Sequence, residues 1–127
     1  MGKVDIKSAY RIISIHPSDC YLLGMFSKRK YYVDLTLPFG LRSTPAIFDS
    51  LADLFHWCLV YNFDVGDLLH YLDDYLTLGP PESKICALHM KAIDKVARVL
   101  GIPLAPEKCV IPSTCLTFLG IKLIQFK

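Results

Sequence analysis

Asp67-Leu68-Leu69-His70-Tyr71-Leu72-Asp73-Asp74-Tyr75-Leu76-Thr77-Leu78 is the stretch on which the fold turns. Short apolar runs flank an adjacent pair of carboxylates, with Gly66 before them and Gly79-Pro80-Pro81 after. That is the layout of a strand, a tight turn and a second strand. Neighbours in a regular strand point to opposite faces, so Asp73 and Asp74 can converge on one point only at the turn itself. Two ionised carboxylates in close approach repel, and a cation between them relieves the repulsion. Magnesium suits such a pair because it prefers oxygen ligands and takes one or two protein carboxylates alongside substrate phosphates. Sites with two ions about 4 Å apart drive in-line phosphoryl displacement, and they call for a third carboxylate from a neighbouring strand.

Asp5 is the candidate for that third acid. It sits between Val4 and Ile6 in a short strand read from Lys3 to Lys7, where a charge is expected only at an edge or a site. Residue types alone leave a plainer alternative open, a solvated Asp-Asp turn and an unrelated strand acid. Outward from these two strands, residues 8–15 read as a helical turn, and 21–26 and 31–36 as strands around the polar tip Ser27-Lys28-Arg29-Lys30. Thr44 is placed to cap a helix that Pro45 opens and that runs to about Val60. Ile47, Phe48, Leu51, Ala52, Phe55 and Leu59 form its apolar stripe, while Asp49, Asp53 and His56 fall off the stripe and are expected in water.

A second helix is predicted from Ser83 to Leu100, with Ile85, Leu88, Ala92, Ile93, Val96, Val99 and Leu100 in helical period and Gly101 and Pro103 ending it. Thr117 to Ile124 gives a last strand pair around Gly120. The order strand, hairpin, helix, hairpin, helix, strand defines an α+β domain of split-βαβ type, an antiparallel sheet with two helices packed on one face.

Composition bounds the rest. A chain of 127 residues, 53% hydrophobic and 20% charged, suffices for one domain with a real core and not for two. The net charge of +2 is far from the polycationic balance of a protein that grips nucleic acid by charge alone, so any such grip is local or supplied by other segments. The five cysteines are odd in number and form no CxxC pair, which reads as reduced thiols in an intracellular protein, cytoplasmic or nuclear. No apolar run approaches the roughly 20 residues of a membrane span, and Met1-Gly2-Lys3-Val4-Asp5 has no secretory h-region. A buried strand beginning almost at residue 1 suggests a boundary imposed by truncation. His16, His56, His70 and His89 show no metal-ligand spacing. Lys84, Lys91, Lys95 and Arg98 share a helix face that reads as solvated.

Five blocks, taken in order, carry a resemblance. They are Val4-Asp5-Ile6-Lys7-Ser8-Ala9-Tyr10, Leu37-Pro38-Phe39-Gly40-Leu41-Arg42-Ser43-Thr44-Pro45-Ala46-Ile47-Phe48, Tyr71-Leu72-Asp73-Asp74, Leu100 to Cys109, and Thr117-Phe118-Leu119-Gly120-Ile121. Together they resemble the palm of reverse transcriptases, with a flavour closer to long-terminal-repeat or tyrosine-recombinase retrotransposons than to retroviruses. The resemblance implies a ferredoxin-like polymerase palm and RNA-directed DNA polymerase chemistry with two Mg2+ (or Mn2+) ions. Asp5, Asp73 and Asp74 would be the metal ligands, with the Ile6 carbonyl as a further one.

The same resemblance implies that Tyr10 lies under the incoming sugar and favours deoxynucleotides, although a core tyrosine with a wet hydroxyl suits the position too. Phe39 stands where retroviral members carry a glutamine beside the nucleotide, which puts that amide's contacts in doubt. Arg42 is a phosphate-contact candidate, or simply solvated. Lys108 matches a mobile lysine near the nucleotide phosphates and is a candidate general acid. Leu119 and Gly120 match the hairpin that grips the primer end.

Partners implied in this way are an RNA or DNA template, a DNA primer, deoxynucleoside triphosphates, and the fingers and thumb segments of a parent polyprotein; part of the fingers, the thumb and any ribonuclease H domain lie outside residues 1–127. A second function class stays open: an inactive, palm-derived module that binds nucleic acid or protein without turnover.

Overall fold

The computed structural model describes residues 1–126. In chain order it holds β1 (Gly2–Asp5), the hairpin of β2 (Gly24–Ser27) and β3 (Lys30–Val33), α1 (Thr44–Phe63), the hairpin of β4 (Leu68–Tyr71) and β5 (Asp74–Thr77), α2 (Ile85–Leu100), and the hairpin of β6 (Cys115–Phe118) and β7 (Ile121–Ile124). The predicted α+β order is therefore the observed one. The central sheet is antiparallel in the order β1-β5-β4, with Val4 opposite Tyr75 and Asp5 opposite Asp74.

Strand alternation divides this sheet into two unlike faces. Val4, Ile6, Leu68 and Tyr75 point to the helices and share one buried cluster with Phe48, Ala52, Phe55 and Leu59 of α1 and Ile93, Val96 and Ala97 of α2. Asp5, Asp74 and Leu76 belong to the other face, where Leu76 packs with Met1 and Leu116 beneath the β6–β7 hairpin. Tyr75 locks strand to helix: its hydroxyl donates to the Ala52 carbonyl at 2.9 Å in the buried interior. Where β5 gives way to the turn before α2, a Cβ on Gly79 would lie 2.8 Å from the backbone nitrogen of Cys86, so no larger residue fits without a shift.

The far edge of β1 is covered as well. Lys3 and Val110 exchange backbone hydrogen bonds at 3.0 and 2.9 Å, Ala105 N–H donates to Asp5 O at 2.9 Å and Lys7 N–H to Pro103 O at 2.8 Å. Residues 103–110 thus flank β1 and carry Lys108 to it on the short 3-10 turn Pro106–Lys108.

Several local expectations differ. Thr44 is the first residue of α1 and not its cap: it is fully buried and its hydroxyl donates to the Pro38 carbonyl at 2.8 Å, tying the preceding loop to the helix. The helix continues past Val60 to Phe63 and stops at Asp64, which takes a left-handed backbone. Ile47 is exposed, and so are Ile85, Leu88, Val99 and Leu100 of the predicted α2 stripe; Cys86 and Ala97 are buried there in their place. Residues 21–23, predicted as strand, complete a 3-10 helix Pro17–Leu23 opened by Pro17 and capped by the His16 side chain. Among the described residues no helix is long and apolar enough to cross a membrane.

Candidate active site

The β4–β5 connection has two residues, Leu72 and Asp73, between the paired Tyr71 and Asp74. Of the two, Leu72 alone has a positive φ, +52°. That is the pattern of a II′ hairpin turn, which favours glycine at its first central position. A leucine held there stores roughly 1–3 kcal/mol of backbone strain. The strain is sustained because both flanking strands are fixed, β5 by Tyr75 and by its pairing with β1.

The same pairing brings the third acid in. Asp5 and Asp74 are direct partners across β1 and β5, a separation of about 5 Å between Cα atoms with side chains on one face. Ile6 N–H donates to the Asp73 carbonyl at 2.9 Å, which closes the turn onto the end of β1. Among the described residues the Ile6 carbonyl itself accepts no backbone hydrogen bond.

Two lysines answer this concentration of negative charge. Lys108 Nζ donates to Asp5 Oδ1 at 3.4 Å, and Lys3 Nζ lies 2.8 Å from Asp74 Oδ1. The second contact is close in charge but poor in direction, because Asp74 Oδ1 is buried and receives no aligned hydrogen bond. We read Lys3 as a counter-ion and not as the partner that oxygen requires. Burial pushes the Asp5 carboxyl above the usual carboxylate range; Lys108 pulls it back, and Asp73 and Asp74 push it further up. Lys108 is held above its ordinary value by the Asp5 charge and the hydrogen bond to it. A buried carboxylate oxygen without an aligned donor, next to a carboxyl whose pKa burial raises, fits a hard divalent cation.

Asp73 faces a cleft of about 250 Å³ lined also by Ile6, Ser8, Ala9, Tyr10, Phe39 and Lys108. Tyr10 is seated between two rings, 5.0 Å from Phe39 and 5.4 Å from Phe48 in centroid distance. Five residues singled out from the sequence therefore share one recess, and Asp5 adjoins it through Lys108. The remaining candidates lie apart from it. Arg42 is exposed and forms no ion pair among the described residues. Leu119 and Gly120, both with positive φ, form the β6–β7 turn, and Leu119 is exposed. Sequence reasoning missed Lys3, although a lysine two positions before Asp5 shares its face of the strand.

An antiparallel sheet with helices on one face and three acids gathered on the other is the architecture of a polymerase palm. Residues 1–123 match the family model described as reverse transcriptase (RNA-dependent DNA polymerase), and the chain belongs to that family. Polyprotein P3 of Commelina yellow mottle virus is 26% identical over 122 residues, 96% of this chain but only 6% of that protein. A foamy viral protease-reverse transcriptase solved with dsDNA superimposes with a TM-score of 0.73 at 22% identity, over 99% of this chain and 26% of the other. The same type of enzyme solved with an RNA/DNA hybrid gives 0.76 at 22% identity, over 98% and 16%. The two structural likenesses are likenesses of fold.

Proposed function

We propose that this chain is the catalytic palm of an RNA-directed DNA polymerase, adding deoxynucleotides to a primer 3′-hydroxyl on an RNA or DNA template. The observation that carries the reading is the direct pairing of Asp5 with Asp74, with Asp73 in the adjoining turn and facing the Tyr10–Phe39–Lys108 cleft. Asp5, Asp73 and Asp74, with the Ile6 carbonyl, would hold two Mg2+ or Mn2+ ions. When bound, such ions activate the attacking hydroxyl and stabilise the leaving oxygen of an in-line displacement.

The chain's own residues do the positioning. Tyr10, braced by Phe39 and Phe48, would offer its ring to the sugar and crowd a 2′-hydroxyl. Phe39 replaces an amide with an apolar wall, so nucleotide selection here rests on shape. Lys108 is ammonium-charged and tied to Asp5. Lining the same cleft as Tyr10 and Asp73, it would be placed to donate a proton to the departing pyrophosphate. Arg42 would contact phosphate, and the Leu119-Gly120 turn would approach the primer end. Fingers and thumb segments of a longer polyprotein would supply the remaining grip on template and primer, consistent with the small share of Polyprotein P3 that this chain spans.

Primer extension with Mg2+ in a polyprotein carrying this sequence tests the reading. Asp73→Asn or Asp74→Asn is expected to lower incorporation by on the order of 10³-fold, the scale of losing one preorganised electrostatic element. Full activity in either variant would end it. Nucleic-acid binding by the chain that ignores metal and survives loss of all three acids would instead identify an interaction module.

A further inference from the structure

A second cluster of ligating atoms lies across the sheet from the three acids. Asp49 and Asp53 stand one helical turn apart on α1, both exposed, and His70 of β4 reaches them: its Nε2 is 3.4 Å from Asp53 Oδ1 and 4.0 Å from Asp49 Oδ1. One ligand atom from each residue falls within 4.8 Å of the others. The histidine spacing in the sequence gives no hint of this, since the ligands come from a helix and a strand that only the fold brings together.

The His70 ring is fixed on two sides. One face stacks on buried Tyr75 at 5.2 Å and 17°, and Nδ1 lies 2.9 Å from Nδ1 of His56. Only one proton fits between those two nitrogens. In the tautomer that has His70 Nδ1 donating to His56, the Nε2 lone pair is left on the side of the two carboxylates. In that tautomer the arrangement is repulsive when empty and complete with a cation between the three. Like charges four apart on a helix repel one another as well.

We propose that Asp49, Asp53 and His70 form a binding site for one divalent transition metal of the zinc class, distinct from the all-oxygen site on the opposite face. An imidazole with two carboxylates suits zinc and not magnesium. Zinc bonds near 2.0–2.2 Å place tetrahedral ligand atoms about 3.4 Å apart, the spacing already present between His70 and Asp53. Asp49 Oδ1, 4.0 Å from Nε2 on an exposed side chain, has only to swing inward to complete the set. A recess of about 380 Å³ lined by Pro45, Ala46, Asp49, Asp53, His70, Tyr71 and Leu72 leaves room for a water as fourth ligand. His56 then orients the ligating ring from behind, as outer partners of metal-bound histidines do.

Titration of the chain with ZnCl2, followed by imidazole ¹⁵N NMR, tests this and separates it from zinc held by the free thiols. The His70 Nε2 resonance is expected to shift with one equivalent. Affinity at that site should fall at least about 10-fold in Asp53→Asn and in His56→Gln, the scale of ligand and outer-partner loss. Asp53 is exposed, so its variant keeps the fold. Asp73→Asn is expected to leave the shift unchanged whether or not the polymerase reading holds. A His70 resonance unmoved at tenfold zinc excess, or the same affinity in Asp53→Asn, would overturn the site.

Discussion

The two faces of the β1-β5-β4 sheet are made from alternate residues of the same strands, yet they obey opposite rules. On the helix side Val4, Ile6 and Tyr75 are almost wholly excluded from water, and stability follows from apolar area and close packing. On the other side Asp5 is just as enclosed at 4% exposure, with Asp74 opposite it and two lysines alongside. There burial works against the charged state. The contrast teaches that the packed face holds the open one in place: it fixes β5 firmly enough for the opposite face to tolerate crowded acids and a strained Leu72.

That division of labour can be broken from the packed side first. Phe55→Ala empties a fully buried site edge-on to Tyr75, and chemical denaturation should show a loss of about 3–5 kcal/mol. Equal stability would mean that the helix face does not carry the sheet. Tyr75→Phe is a finer cut, removing the hydroxyl bonded to Ala52 while keeping the ring. A loss of about 1 kcal/mol is expected, with Mn2+ binding at the acids unaltered.

The smallest effect belongs to the open face. Because the Asp5 carboxyl is raised in the folded chain, the folded state binds its proton more tightly than the unfolded state does. Metal-free stability therefore falls as pH rises from the unfolded carboxylate value, 3.8, through the higher folded one, and levels off above it. Asp5→Asn should flatten that slope in thermal melts from acid to neutral pH, and Mg2+ should flatten it in the unsubstituted chain. An unchanged slope in Asp5→Asn would assign the pH dependence to other groups.

Much of this was legible before any coordinates. The acidic hairpin is bounded by glycine and proline, and α2 ends at Gly101, whose left-handed backbone returns hydrogen bonds to Ala97 and Arg98. Such signals are local and the sequence carries them whole. Thr44 departs from the capping role its position suggests because its hydroxyl serves the Pro38 carbonyl six residues back, a demand set by the loop and not by the helix. Tyr21-Leu22-Leu23 has the apolar character of a strand, and Pro17-Ser18-Asp19 overrides it by starting a helical turn. His56, expected in water, is half-buried against His70, a neighbour fourteen residues away. Of the site, the three acids and Ile6, Tyr10, Phe39 and Lys108 are the residues the sequence singles out; Ser8 and Ala9 of the same cleft are not. Lys3 and the Asp49–Asp53–His70 cluster could not, because each depends on which strand lies beside which.

The covering of β1 by residues 103–110 has one more consequence, for self-association. With that margin satisfied by its own chain, the sheet presents its remaining row of unpaired peptide groups along β4, a strand of four residues. Short edges are poor templates for pairing between molecules. Within this sheet, strand addition is thereby limited to the edge at Leu68–Tyr71, and a single lysine in place of exposed Leu69 is the economical place to suppress it.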